Sequence, residues 1–297
     1  MGNLQNNSVY IKREDFIPFS FGGNKARKAK FFFEEILRGD YDCVVTYGSS
    51  SSNHCRIVSN LAAANDMKCY IIAPLESSEE TFNSYMMELF GAEISVVSVD
   101  KVSKTIEDKL ADLKKAGKKP YFIAGGGHGN LGTEAYVECY EEIKDFEENA
   151  AVHFDYIFHA SGTGTTQAGL ICGKLIHNDS TEIVGISIAR KNPRGRNVVL
   201  DSARDYLAEK SIFFAENELD DATVFEDGYT GDGYGSDNSS EVIDQVLIKY
   251  GIPFDSTYTG KAFAGMLDYL DKNSIKDKNI LFIHTGGTPL FFDHLRK

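Results

Sequence analysis

The chain has 297 residues, enough to bury a large core and to divide into two lobes. Hydrophobic residues make up 42% and charged residues 25%, ordinary values for a soluble globular protein. A net charge of −13 excludes nucleic acid and anionic membrane surfaces as expected partners, because both require a basic face.

The opening segment MGNLQNNSVYIKRED is polar and has no apolar stretch of the kind a secretory signal needs. Asn6 stands where a myristoylation signal requires Ser or Thr. Next comes FGGNKARK, Phe21 to Lys28. Lys25 follows Gly-Gly-Asn at the start of a helical stretch. The glycines allow close backbone approach to a bound group, and the helix N-terminus adds N–H donors and a positive dipole end. A lysine held there near another cation, or in a dry pocket, loses its proton readily and can form a Schiff base. Read alone, the octet favours a basic helix start, since Arg27, Lys28 and Lys30 follow; the later turns reverse that preference.

Short apolar runs predict strands at Cys43–Thr46, Tyr70–Ala73, Ile94–Val99, Tyr121–Ala124, Tyr156–His159, Ile183–Ile188 and Ile280–Ile283. Between most of them lie amphipathic helical segments such as Arg27–Leu37, Ile57–Ala64, Glu79–Phe90 and Ala168–Ile176. This alternation predicts an α/β fold, with parallel-rich twisted sheets covered by helices on both faces. Ligands of such folds bind beyond the carboxyl ends of the strands, so glycine-rich turns after strands are the candidate binding loops. The charged stretch Glu141–Asn149 reads as a surface seam or as a solvated helix end. Five widely spaced cysteines, with no C-x-x-C, fit reduced thiols in a cytoplasmic protein, and neither a disulfide frame nor a metal site is expected.

Four turns carry the chemistry. In GSSSSNH, Gly48 to His54, Ser52 or Asn53 can cap the following helix, yet four serines exceed what a cap requires. A row of hydroxyls that includes Ser51 and Ser52 suits a carboxylate, with His54 beside it. In GGGHGNLG, Gly125 to Gly132, His128 is either a substrate contact or a plain loop residue. In SGTGTT, Ser161 to Thr166, small residues let backbone N–H groups converge, and Thr163, Thr165 and Thr166 add hydroxyls around Gly164, so the loop suits a phosphate. No Gly-Lys-Ser/Thr ends it, and Gln167 occupies the third glycine position of a dinucleotide fingerprint. In the C-terminal part, Tyr234 and Tyr258 lie in glycine-containing turns, and Thr285 follows a strand and precedes Gly286-Gly287.

In this order the segments resemble the fold-type II pyridoxal-phosphate (PLP) enzymes, whose fold is that of the tryptophan synthase β chain. They are most similar to the branch holding D-cysteine desulfhydrase and 1-aminocyclopropane-1-carboxylate deaminase. The likeness runs from Lys12-Arg13-Glu14-Asp15 through FGGNKARK, SSSSNH, GGGHGNLG, SGTGTTQAG, DGYG and YTGKAFAG to HTGGTP. It implies a large cofactor-binding domain from residues 1–30 plus 138–297, a small domain over 31–137, and a homodimer. It implies that Lys25 holds PLP as a Schiff base and moves the α-proton, and that Asn53 bonds the cofactor's phenolic oxygen. Ser52 contacts the substrate carboxylate, the Thr163–Thr166 turn receives the phosphate, and Tyr234 and Tyr258 flank the substrate. Thr285 then partners the pyridine nitrogen. The deaminase resembles YEGK where this chain has YTGK, with Thr259 in place of the glutamate, and SNQ where this chain has His54 in SNH. A hydroxyl partner leaves the ring nitrogen largely unprotonated, which favours prompt expulsion of a leaving group. The expected activity is therefore α,β-elimination from a small D-cysteine-like amino acid. The alternatives are 1-aminocyclopropane-1-carboxylate deamination, a β-replacement synthase and, more distantly, a sensor of a phosphorylated metabolite.

Overall fold

The computed structural model describes residues 5–231, 233 and 239–295 of the chain. β1 (Ser8–Arg13) leads through a 3₁₀ turn (Glu14–Phe16) to α1 (Asn24–Arg38). β2 (Cys43–Tyr47), α2 (Asn53–Ala64), β3 (Lys68–Pro74), α3 (Phe82–Leu89), β4 (Glu93–Val97), α4 (Val102–Lys115) and β5 (Pro120–Ile123) then alternate. The long α5 (Asn130–Ala150) leads to β6 (Tyr156–Ser161), α6 (Thr165–Ile176), β7 (Glu182–Ser187), α7 (Arg194–Glu209), α8 (Glu216–Asp221) and β8 (Val224–Glu226). α9 (Ser240–Tyr250), α10 (Thr259–Lys272), β9 (Asn279–His284) and α11 (Thr288–Leu295) complete the described chain.

The strands form two sheets, ordered β4-β3-β2-β5 and β1-β9-β6-β7-β8, and all their pairings are parallel. All seven strands expected from the apolar runs are present. Their sequences, such as EIVGIS in β7, are apolar on both faces because helices cover both sides. Two strands carry no such signal. β1 is an edge strand of mixed polarity, drawn into the sheet by parallel pairing from Ser8 opposite Asn279 to Arg13 opposite His284. β8 is an edge strand of three residues.

On one face of the five-stranded sheet pack α5, α6 and α7, through Tyr136, Tyr140, Leu170, Ile171 and Val199. On the other face lie α9 and α10, through Ile243, Phe263 and Met266. In the smaller sheet Val44 and Ile71 meet Phe32, Ile36 and Val58 of α1 and α2, while Val45 and Ile72 meet Ile106 and Leu113 of α4. The charged stretch expected to mark a seam is the second half of α5. It is an ordinary amphipathic helix end there: Ile143 and Glu147 are buried.

Two features fix where the site-bearing elements begin. Arg27 forks onto the buried carboxylate of Glu14 at 2.6 and 2.8 Å and also holds Glu142. Lys12 bonds Glu142 at 2.6 Å, so β1, the 3₁₀ turn, α1 and α5 share one ionic knot. Two glycines one turn apart on α6 let α5 approach closely. A Cβ on Gly169 would lie 2.3 Å from the Thr133 carbonyl oxygen, and one on Gly173 would lie 2.5 Å from the Tyr140 Cβ. Gly169→Ala therefore overpacks a backbone contact and should lower the unfolding free energy by about 2 kcal/mol. Guanidinium titration checks this, and an unchanged midpoint would refute the close approach.

Candidate active site

Both sheets point the carboxyl ends of their strands into a single cavity of about 960 Å³. Its wall takes Gly48 after β2, Pro74 of β3, Ala124 after β5, Gly162 after β6 and Thr285 after β9, the position expected for ligands of parallel α/β folds. Lys25, Ser51, Ser52, Asn53, His54, His128, Thr163, Thr166, Tyr258 and Thr285 all line it. Gly164 and Thr165 stand behind the lining, and Tyr234 falls outside the described residues.

Lys25 is the second residue of α1, and its Nζ donates to the Gly126 carbonyl at 2.8 Å. Burial, helped by the charge of Arg190, lowers its ammonium from 10.5 to about 8. One turn on, Lys28 is fully buried and donates to the Thr165 hydroxyl at 2.7 Å; burial and the charge of Lys25 hold it well below the usual lysine value. The start of α1 is held by the opposite end of the chain. The Asn24 N–H donates to the Thr285 carbonyl at 2.9 Å, and a Cβ on Gly23 would lie 2.7 Å from that same oxygen.

The serine loop is a true helix start. Ser52 caps α2 by accepting from the Cys55 N–H at 3.1 Å, and Ser49 and Ser51 share a hydrogen bond at 3.1 Å. The Oδ1 of Asn53 accepts from Arg56 at 2.8 Å and from Asn83 at 3.0 Å, so its Nδ2 donors are what it can offer the cavity. The Thr46 hydroxyl donates its one proton to the Ile123 carbonyl, so the 2.8 Å contact with His54 is made by His54 donating from Nε2. Burial, then the charges of Lys25 and Lys28, lower that imidazole to about 3, so His54 is neutral near pH 7.

Opposite, Gly162–Thr166 leads into α6, whose N-cap is Gly164, and no side chain caps the helix. Its first N–H groups are thus available to an anion. The Thr165 hydroxyl is turned to Lys28 and to the Gly127 carbonyl, while Thr163 and Thr166 face the cavity. His128 sits at the exposed rim, with Nδ1 3.3 Å from the Thr163 carbonyl oxygen. On the third wall, buried Asp255 accepts from the N–H groups of Thr257, Tyr258 and Thr259 and from the Thr259 hydroxyl, which fixes the turn that presents Tyr258. Thr259 is spent on this knot and does not line the cavity.

The sequence model described as pyridoxal-phosphate dependent enzyme matches residues 2–286. The chain belongs to that family. It is 32% identical over 296 residues to a D-cysteine desulfhydrase of Serratia proteamaculans (strain 568), covering 96% of this chain and 88% of that protein. A D-cysteine desulfhydrase of Yersinia enterocolitica is 32% identical over 294 residues, with the same shares covered. A solved structure described as an ACC deaminase homologue matches with a TM-score of 0.86 and 30% identity, over 97% of this chain and 88% of that one. The cofactor of this PLP-dependent enzyme is pyridoxal 5′-phosphate, and its class is that of the PLP-dependent lyases.

The residues present fit that group. An amine of lowered pKa, an uncapped helix start beside a buried lysine, and an asparagine with free amide donors meet an aldehyde, a phosphate and a phenolic oxygen respectively. Several residues that shape this cavity have no signal of their own in the sequence: Asn24, Arg56, Asn83 and Asp255. Asn24, Arg56 and Asn83 act through contacts between segments far apart in the chain, whereas Asp255 ties up its own turn. Lys28 was legible only as part of a basic helix start; its spacing of three from Lys25 was the available clue. In cofactor-free protein, amine-directed labelling of Lys25 should be half-maximal near pH 8, and a midpoint near 10.5 would refute the buried site. Because the unfolded chain holds this proton more tightly, the contribution of Lys25 to stability rises as pH climbs from about 8 towards 10.5.

Proposed function

We propose that the enzyme eliminates a β-substituent from a small amino acid, giving a 2-oxo acid, ammonia and the leaving group. D-Cysteine is the first candidate, as in the curated relatives. The observation that carries the reading is the convergence on Lys25 of an uncapped helix N-terminus, a serine-rich helix start and a hydroxyl at Thr285, all in one cavity.

When bound, the cofactor acts as the electron sink that lets Cα lose its proton. The rest is the work of the chain. Thr163, Thr166 and the α6 N-terminus, with the charge of Lys28 behind them, would hold its phosphate, Asn53 its phenolic oxygen through Nδ2, and Thr285 its ring nitrogen. Ser51 and Ser52, at the α2 N-terminus beside His54, hold the substrate carboxylate. Lys25, poised to lose its proton near neutrality, binds the cofactor aldehyde through Nζ and later takes the α-proton. Tyr258 stands where it can protonate the leaving group, a role that Tyr234 shares in this reading; His128 forms part of the substrate's rim. Thr285 in place of a carboxylate supports elimination over cyclopropane opening.

We assign the four-stranded sheet to a small domain of residues 31–137 and the remainder to the cofactor-binding domain. A homodimer in the cytoplasm completes the proposal. Five unpaired, buried cysteines are compatible with that compartment, and no helix among the described residues is long and apolar enough to cross a membrane.

Lys25→Ala should abolish the absorbance of the lysine-bound cofactor near the visible edge and cut elimination by about a thousandfold or more. Retention of both the spectrum and the turnover would overturn the assignment. Thr285→Glu should reshape that spectrum by protonating the ring nitrogen; an unaltered spectrum would remove Thr285 from its role. Product analysis with and without an added thiol separates elimination from β-replacement.

A further inference from the structure

Arg56 lies on α2, three residues beyond Asn53, and is fully buried. Among the described residues no carboxylate pairs with it: its bonds go to Asn53, Asn83 and the Ser20 carbonyl. Burial lowers it only to about 9, so it is a cation near pH 7. A buried cation without a counter-ion costs stability, and that cost falls where negative charge can gather within its reach.

The hydrogen bonds show where that is. Nη2 donates to the Ser20 carbonyl at 2.9 Å, and Nη1 donates to Oδ1 of Asn53 at 2.8 Å and to Oδ1 of Asn83 at 2.9 Å. A guanidinium has donors only, so both amides turn their oxygens towards it. Asn83 then spends its Nδ2 on the Ser51 carbonyl at 2.8 Å and on Oδ1 of Asn53 at 3.0 Å. The Ser20 carbonyl has no proton to pass on. Of the three acceptors only Asn53 lines the cavity, and among the described residues its Nδ2 protons have no acceptor. Its carbonyl oxygen receives two donors, one of them charged. That draws electron density from the amide nitrogen and strengthens the two N–H donors on the cavity side.

We infer that Arg56 is a positioning residue that acts through Asn53: it fixes the amide with Nδ2 towards the cavity, and its charge keeps the phenolic oxygen of the bound cofactor ionised. This rests on the assignment of Asn53 to that oxygen and adds the group that sets the oxygen's charge. A plain tie between α2 and the Ser20 loop would use the same bonds and leave that charge alone.

The test uses the PLP-loaded enzyme without substrate. The readouts are the absorbance of the bound cofactor and the calorimetric Kd for pyridoxal 5′-phosphate. The band near the visible edge reports the ionised oxygen, and the near-ultraviolet band reports the protonated one. Arg56→Gln keeps an amide donor for Asn53 and removes the charge. It should lower the ratio of the two bands by about tenfold, the size of effect a unit charge exerts through an intervening amide at an effective dielectric constant of about 20. In an Asn53→Ala background the same substitution should change the ratio by less than about threefold, because the connecting amide is gone. Equal effects in the two backgrounds overturn the inference. A weaker Kd with an unchanged ratio in the bound fraction also overturns it and makes Arg56 a structural tie. If Asn53→Ala by itself leaves the ratio unaltered, the assignment of Asn53 fails and the inference falls with it; if Asn53→Ala lowers the ratio and Arg56→Gln does not, the inference alone fails. Should Arg56→Gln not fold, Arg56→Lys carries the test: with the charge retained the ratio stays within about threefold of wild type, and a fall of about tenfold overturns the inference.

Discussion

The site depends on one backbone contact. Gly23, at the start of the first helix, lies against Thr285 and Gly286, after the last strand, so closely that a Cβ on Gly286 would sit 2.7 Å from the Gly23 Cα. The Asn24 N–H reaches the Thr285 carbonyl, and β1 runs alongside β9 in register over six residues. A lysine near one terminus and a threonine near the other thereby become neighbours in one cavity. Any side chain at Gly23 or Gly286 would push them apart, and both glycines also hold positive φ angles, +92° and +102°.

Around that contact the chain gathers cations and withholds their counter-ions. The body carries an excess of 13 negative charges, yet Lys25 and Arg190 line the cavity and Lys28 lies behind its wall, with a carbonyl on Lys25 and a hydroxyl on Lys28. Buried Arg56, lowered to about 9 by burial, likewise bonds Asn53, Asn83 and the Ser20 carbonyl, with no acid partner among the described residues. Protein acids are kept out of these contacts, while Arg13, Arg27 and Lys12 a short distance away are fully paired. The arrangement reserves positive potential for ligands that bring their own negative charge.

How much of this was legible follows from where each signal resides. Strands buried on both faces announce themselves as continuous apolar runs, and the binding turns announce themselves through glycine and hydroxyl residues that follow those runs. β1 and β8 are invisible for the converse reason: an edge strand needs only one covered face, and β8 is too short for any period. Within the turn before α6, the pattern alone gives three threonines equal standing, whereas Thr165 spends its hydroxyl on Lys28 and Gly127. Asn83 lies 30 residues from Asn53 and touches it through the packing of α2 on α3. Asp255 organises its own turn through four donors within the next four residues, a local Asp-led pattern whose link to the cavity appears only once β9 is in place.

The imidazole beside the serines has a consequence of its own. Its proton is pledged to Thr46, whose own proton is pledged to a strand carbonyl, and burial, with the neighbouring cations, opposes a second one. A fall in the surrounding pH to 5, enough to recharge an ordinary surface histidine, leaves this wall with the same uncharged ring. The serine-rich helix start therefore keeps its hydroxyls and fixed dipoles beside a neutral ring across that range.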